Sequence, residues 1–316
     1  MLRSVPAPAP AAFHSVSPAD LTPAQWMPLL GGAVAPRPIA FVSTVDADGR
    51  VNLSPYSFFN IFSYTPPMLV FSPVNRLRDG SEKHTLLNVR AVPEVVVNIC
   101  DYAMVQQLSL ASAEYPAGVN EFAKAGFTEL ASEQVRPPRV AEAPAAFECV
   151  VEQIVELSQG PGAGHLVVCR AVRAHFRQDI LLPDAAGIDP FKLDAVARLG
   201  GDWYSRASGA SLFEVVRPNR RLGIGIDALP AHIRDSKLLT GNELGQLANV
   251  EREALPTPVQ VEAAKAEPMV AYLLNQHPAG GPALHTQLTR LGQQLLAEGR
   301  VAEAWPVLLL AAAGAA

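Results

Sequence analysis

The 316-residue sequence predicts an α+β chain that is mainly β, a compact barrel of short strands followed by a small helical region. Three observations carry this reading. Between residues 34 and 180, short apolar runs recur, bounded by proline and polar residues, as buried strands are. Two longer stretches, 146–157 (AFECVVEQIVEL) and 165–176 (HLVVCRAVRAHF), alternate well enough to be half-exposed antiparallel strands. After residue 218 the pattern changes, and Leu284, Leu288, Leu291 and Leu295 recur at helical spacing.

Taken in order, residues 38–45 (PIAFVSTV) are rich in β-forming types, and 46–50 (DADGR) supplies hairpin turn chemistry before a returning strand over 51–56. Residues 67–72 (PMLVFS) and 94–100 (EVVVNIC) read as further buried strands. A helix is expected over 81–90, capped by Ser81 and ending before Pro93, and another over 102–114, closed by Pro116. Many short strands with few helices between them favour a barrel over a βαβ sheet. Residues 269–276 and 302–313 read as helices beside the leucine stripe. The expected division is an N-terminal arm over 1–25, partly disordered, a barrel domain over 26–217, and a helical extension over 218–316.

Composition narrows the function classes. Hydrophobic residues make up 49% and charged residues 17%, enough for a sizeable core and too apolar for an intrinsically disordered chain. A net charge of -5 argues against nucleic-acid binding. Cys100, Cys149 and Cys169 are far apart with no Cys-x-x-Cys pair, which predicts a reducing compartment, no disulfides and no cysteine-based metal site. Trp26 and Trp203 read as packing residues. The N-terminus lacks a secretory pattern, and the uncharged run 304–316 is too short to span a bilayer and contains Pro306. A cytoplasmic protein without membrane contact is the expectation. No P-loop, nucleophile elbow or His-Glu-x-x-His is present, and 160–164 (GPGAG) is a tight inter-strand loop rather than a dinucleotide fingerprint.

Four segments at matching order and spacing resemble the flavin reductase-like, FMN-binding split-barrel family, nearest to its flavoredoxin-type members. They are 37–45 (RPIAFVSTV), 52–60 (NLSPYSFFN), 66–72 (PPMLVFS), and 83–85 (KHT) with Asn88. A later element, 198–204 (RLGGDWY), is similar to the family's closing motif. The resemblance covers roughly 30–215. It implies a homodimer with FMN at the subunit interface and an NAD(P)H-dependent oxidoreductase that passes electrons to free flavin, an oxygenase partner or another acceptor. An FMN-binding electron carrier not directly reduced by NAD(P)H, and a flavin-free interaction scaffold, are the alternatives.

For the cofactor, the resemblance points to Ser54, Pro55, Tyr56 and Ser57, then Ser72 and Arg76, then Lys83 and Thr85. A phosphate dianion needs N–H and O–H donors with a cation, and a helix N-terminus adds partial positive charge. The same residues also fit a plain turn and an ordinary helix cap. One departure is His84, where the family usually has aspartate. His165 is expected near the nicotinamide as the catalytic candidate, or else as a strand-end histidine bonded to backbone. Arg198, Gly200, Gly201 and Tyr204 meet an anionic substrate or serve packing. No metal site is expected.

Overall fold

The computed structural model describes residues 12–218 and 222–314 and divides into two compact units, Phe13–Phe213 and a second beginning at Glu214. The part of the expected arm before residue 12 lies outside the described residues. Beyond it the chain is ordered into a 3₁₀ turn, Pro18–Asp20, and helix α1 (Pro23–Ala33), both capped by reciprocal side-chain bonds from Ser17 and Thr22.

Strands β1 (Ala40–Val45) and β2 (Val51–Tyr56) form the expected hairpin. Its turn is held by the Asp46 carboxylate, which accepts the N–H groups of Asp48 and Arg50 at 3.0 and 2.9 Å. Gly49 there has φ +84°, a conformation other residues avoid. A second hairpin follows at once, β3 (Phe59–Tyr64) with β4 (Pro67–Phe71), and β3 is a strand that the sequence pattern did not signal. Helix α2 (His84–Ala91) starts two residues later than a Ser81 cap requires. Lys83 is the N-cap, and the Ser81 hydroxyl instead closes a local turn on Asp79. After β5 (Glu94–Ile99), the expected 102–114 helix is shorter: a 3₁₀ turn over Tyr102–Met104 leads into α3 (Val105–Ala111). Then come α4 (Glu121–Ala125), the short pair β6 (Glu129–Leu130) and β7 (Arg139–Val140), and the long antiparallel pair β8 (Ala145–Glu156) and β9 (His165–Phe176). Helix α5 (Pro190–Leu193) and the pair β10 (Val196–Arg198) and β11 (Tyr204–Arg206) complete this unit.

The main sheet has seven strands in the order β2-β1-β5-β8-β9-β4-β3, all antiparallel. Its two edge strands, β2 and β3, are consecutive in the chain and separated only by Ser57 and Phe58. The sheet must therefore curl until its edges meet, without a ladder between them: a split barrel. Both faces of β1 are covered, and all six of its residues are buried. Phe41 faces a cluster with Leu53, Met104, Leu108 and Phe122, while Ala40 and Val42 face one with Phe71, Val95, Val97 and Val167. The loop over 160–164 joins β8 to β9 as an irregular turn.

The second unit is helical: α6 (Ala231–Arg234), α7 (Gly241–Ala248), α8 (Pro258–Ala264), α9 (Pro268–Gln276), α10 (Pro282–Ala297) and α11 (Val301–Leu310). Leu284, Leu288 and Leu295 of α10 are buried in one core with Trp305 and Leu308. A Cβ at Gly292 would lie 2.5 Å from Leu308, so glycine is what permits α10 and α11 to pack this closely. Among the described residues no helix is long and apolar enough to cross a membrane.

Candidate functional site

One polar cleft in the strand-rich unit collects residues from four segments. From β2 come Asn52, Ser54 and Tyr56, and the two-residue spacing is that of one strand face. Arg76 comes from the segment after β4. Lys83, His84 and Thr85 come from the start of α2. The far wall is Ser112, Glu114 and Tyr115 after α3, with Glu121 at the head of α4.

Several of these side chains are fastened. Asn52 Nδ2 donates to Thr85 Oγ1 at 2.9 Å, tying β2 to the first turn of α2. Arg76 Nη1 donates to Ser81 Oγ at 3.2 Å and to the Glu82 carbonyl at 2.5 Å. Glu121 Oε2 accepts the Leu53 N–H at 2.9 Å. Glu114 stands at the rim, 2.9 Å from Arg78 Nη1 and 3.4 Å from Arg76 Nε.

Other polar atoms in the cleft are left short of partners. Tyr56 Oη and Arg76 Nε are buried and make no well-formed hydrogen bond, the first near the Ser54 and Thr85 hydroxyls and the second paired only at 3.4 Å with the Glu114 carboxylate. The Lys83 ammonium has neither hydrogen bond nor ion pair among the described residues. Burial, with Arg76 adding repulsion and Glu114 opposing it, holds Lys83 below the usual lysine range. Burial and the same two cations hold His84 below the usual histidine range, so its imidazole is biased toward the neutral form. Burial pushes the Tyr56 phenol up, partly offset by the nearby Thr85 and Ser54 hydroxyls. The first N–H groups of α2 lack intrahelical partners as well. Two cations, hydroxyl groups and a helix N-terminus, several of them unsatisfied, make an environment that a compact anion would complete.

The cleft brings together Ser54, Tyr56, Arg76, Lys83 and Thr85 of the sequence-predicted residues and leaves out the others. Pro55 lies on the opposite face of β2. Ser57 lies just past the strand, its Oγ 3.5 Å from Arg37 Nε. That arginine is occupied elsewhere, donating to the carbonyls of Gly31, Val34 and Leu199. Ser72 is buried beside Gly164, and its N–H donates to Phe58 O at 2.8 Å. His165 is 1% exposed and lies outside the cleft. Its Nε2 is 3.0 Å from Asn75 Oδ1, and Asn75 Nδ2 donates to Gly160 O, so the imidazole braces the segment that carries Arg76. Arg198 packs over the Tyr204 ring at 4.6 Å and donates to Gly201 O at 2.7 Å. Gly200 sits where a Cβ would be 3.0 Å from Gly32, so this cluster closes the chain on itself. The cysteines are all buried and free, and burial pushes Cys149 up to about 12. No cluster of metal-ligating side chains occurs among the described residues.

Sequence reading missed Asn52 and the far wall. Asn52 was within reach, since it stands two residues before Ser54 on the same strand face. Glu114, Tyr115 and Glu121 carry no local signal and reach the cleft only through the packing of α3 and α4 on β2.

A sequence profile described as the flavin reductase like domain matches residues 32–185. An uncharacterized protein from Aquifex aeolicus is 35% identical over 187 residues, spanning 59% of this chain and 92% of that one. Among solved structures, nitrilotriacetate monooxygenase component B from Bacillus cereus is 31% identical with a TM-score of 0.61, covering 65% of this chain and 100% of its own. The 2-nitrobenzoate 2-nitroreductase of Pseudomonas fluorescens is 28% identical with a TM-score of 0.57, covering 64% and 96%.

Proposed function

The chain belongs to the flavin reductase-like family, and on that premise we propose that it is an NAD(P)H-dependent FMN oxidoreductase, serving free flavin, an oxygenase partner or another small acceptor. The observation that carries the reading is the under-satisfied set in the polar cleft: Tyr56 Oη and Arg76 Nε, both buried without a hydrogen bond, beside an unpaired Lys83. Buried polar atoms without partners are costly, so a resident group that satisfies them is the economical explanation. A phosphate monoester fits, being small, dianionic and rich in acceptors.

In this reading Arg76 and Lys83 neutralise the phosphate. Tyr56, Ser54 and the first N–H groups of α2 donate to it. The bound flavin ring supplies hydride chemistry that no side chain can. Asn52 and Thr85 keep β2 and α2 in register around the site. His84, biased to the neutral form, does not replace the carboxylate the family usually has there, which leaves the pocket more cationic. Ser57 and Ser72, beside the junction of the sheet edges, are assigned to the ribityl chain or ring, and Pro55 to the stiffness of β2. His165 braces the Arg76 segment through Asn75, and its buried Nδ1, without a hydrogen bond, keeps it the candidate for the nicotinamide side.

Acceptor use is proposed by analogy with the monooxygenase component and the nitroreductase. A homodimer is proposed on the exposed apolar side chains of the β3 hairpin, Ile61, Phe62 and Tyr64. A cytoplasmic location belongs to the same proposal.

The test is to load the full chain with FMN and mix it anaerobically with NADH or NADPH. The flavin band is expected to bleach within seconds. A bound flavin that stays oxidised would replace the reductase by an electron carrier, and a chain that binds no FMN would remove the cofactor from the account.

A further inference from the structure

Of the two carboxylates that line the cleft, Glu114 stands at the rim and Glu121 is buried more deeply than the cations. Glu121, 5% exposed, is the first residue of α4, and its side chain reaches beneath β2 into the cleft wall. β2 is an edge strand paired only with β1, so an N–H on its free side needs an acceptor. Glu121 Oε2 supplies one at Leu53, the residue between Asn52 and Ser54. The carboxylate therefore fixes the strand segment that presents the cleft's hydroxyl groups. No cation lies within ion-pair distance of it among the described residues. We propose that Glu121 is the positioning residue of this pocket and that it holds bound phosphate as the neutral acid, taking one proton from solvent when the dianion enters.

The proposal rests on reading the cleft as the FMN phosphate site. The titratable groups that line the cleft with Glu121 are Tyr56 on β2, Arg76 on the segment after β4, Lys83 and His84 at the start of α2, and Glu114 and Tyr115 on the segment before α4. An entering dianion adds negative charge to the cleft that Glu121 lines, and that change favours the acid. Burial already pushes the Glu121 carboxyl above its ordinary value, against the Leu53 N–H that favours the ion. The balance is simple: one proton leaves the buffer and one carboxylate oxygen receives it, with no bond to the ligand. Protonation leaves the other oxygen free to keep accepting from Leu53, so the strand stays fixed in both states.

The experiment is calorimetric titration of the flavin-free full chain with FMN at pH 7.5, in two buffers of different ionisation heat. The difference between buffers counts the protons exchanged. Wild type should take up ~0.5–1 proton per FMN, and riboflavin, which lacks the phosphate, none. Glu121→Gln keeps an acceptor for Leu53 and should bind FMN with almost no uptake, while His84→Gln should retain it. FMN binding by wild type without proton uptake, or equal uptake in Glu121→Gln, overturns the proposal. Loss of uptake in His84→Gln instead would assign the proton to His84 and also overturns it. Failure of wild type to bind FMN would remove the cofactor reading itself, a result distinct from binding without a proton. The wild-type counts stand even if a variant does not fold.

Discussion

Glu148 and Glu121 are both glutamates buried in the strand-rich unit, and their surroundings are opposite. Glu148, on β8, is fully buried. It accepts the N–H groups of Glu133 at 2.9 Å and Gln134 at 2.6 Å and lies 2.7 Å from His175 Nε2. Burial alone would push its carboxyl up, but these donors together outweigh burial and hold it below the usual carboxylate range. Glu121 accepts from Leu53, with help only from its own backbone, and burial wins, so its carboxyl is pushed up. The first is a closed structural site in which the acceptor sites are taken. The second lies on the wall of a cleft where Tyr56 and Arg76 are also short of partners. Unsatisfied groups gathered in one place, rather than burial as such, separate a binding site from a structural one.

The largest expected effect tests the closed site. Glu148→Ala leaves two backbone N–H groups and an imidazole without their acceptor, and should cost roughly 3 kcal/mol by urea unfolding. The matching Glu121→Gln should change stability at neutral pH by less than about 1 kcal/mol. Equal costs at the two positions would break the contrast.

A pH series sharpens it. The folded Glu148 carboxyl lies below its ordinary value of 4.5, so its stabilisation is present above that value and lost as pH falls through the folded one. The folded Glu121 carboxyl lies above 4.5, so its contribution is present below that value and lost as pH rises through the folded one. Relative to wild type, Glu121→Gln should therefore gain stability as pH rises above 4.5, while Glu148→Gln should lose it as pH rises toward 4.5 and stay level above that value. Urea midpoints on both sides of that value check both signs.

The smallest effect belongs to the rim. Glu114, partly exposed beside Arg76 and Arg78, opposes an entering anion. Glu114→Gln should tighten FMN binding by roughly 2–5-fold, the scale of an exposed charge, measured by fluorescence quenching. The gain should shrink with added salt.

The legible and illegible parts of this molecule divide along physical lines. Strands over 40–45, 51–56, 67–71, 94–99, 145–156 and 165–176 follow the apolar runs because each buries at least part of one face. β3 was missed because Phe59–Tyr64 has no regular alternation, and much of its apolar surface, Ile61, Phe62 and Tyr64, is exposed. The cleft residues from Ser54 to Thr85 lie on β2, on the segment after β4 and at the start of α2, and can be found from local residue types. Strand alternation sorts Ser54 and Tyr56 from Pro55 and Ser57. The Ser81 cap failed because Asp79 offers its hydroxyl a nearer partner. Glu121 stands 68 residues from the backbone group it binds, and its environment exists only once α4 has packed on β2. An orphaned Tyr56 hydroxyl is likewise a property of three dimensions, invisible in composition or spacing.

The central claim is that this cleft recognises a phosphate monoester. Its most direct test compares the affinities of FMN and riboflavin for the flavin-free full chain and for an Arg76→Ala/Lys83→Ala variant. Charge-assisted bonds contribute about 1.5–3 kcal/mol each. FMN should therefore bind wild type at least ~100-fold more tightly than riboflavin, and most of that gap should vanish in the variant while riboflavin affinity barely moves. Equal affinities of the two flavins for wild type, or a preference for FMN that survives loss of both cations, would contradict the account.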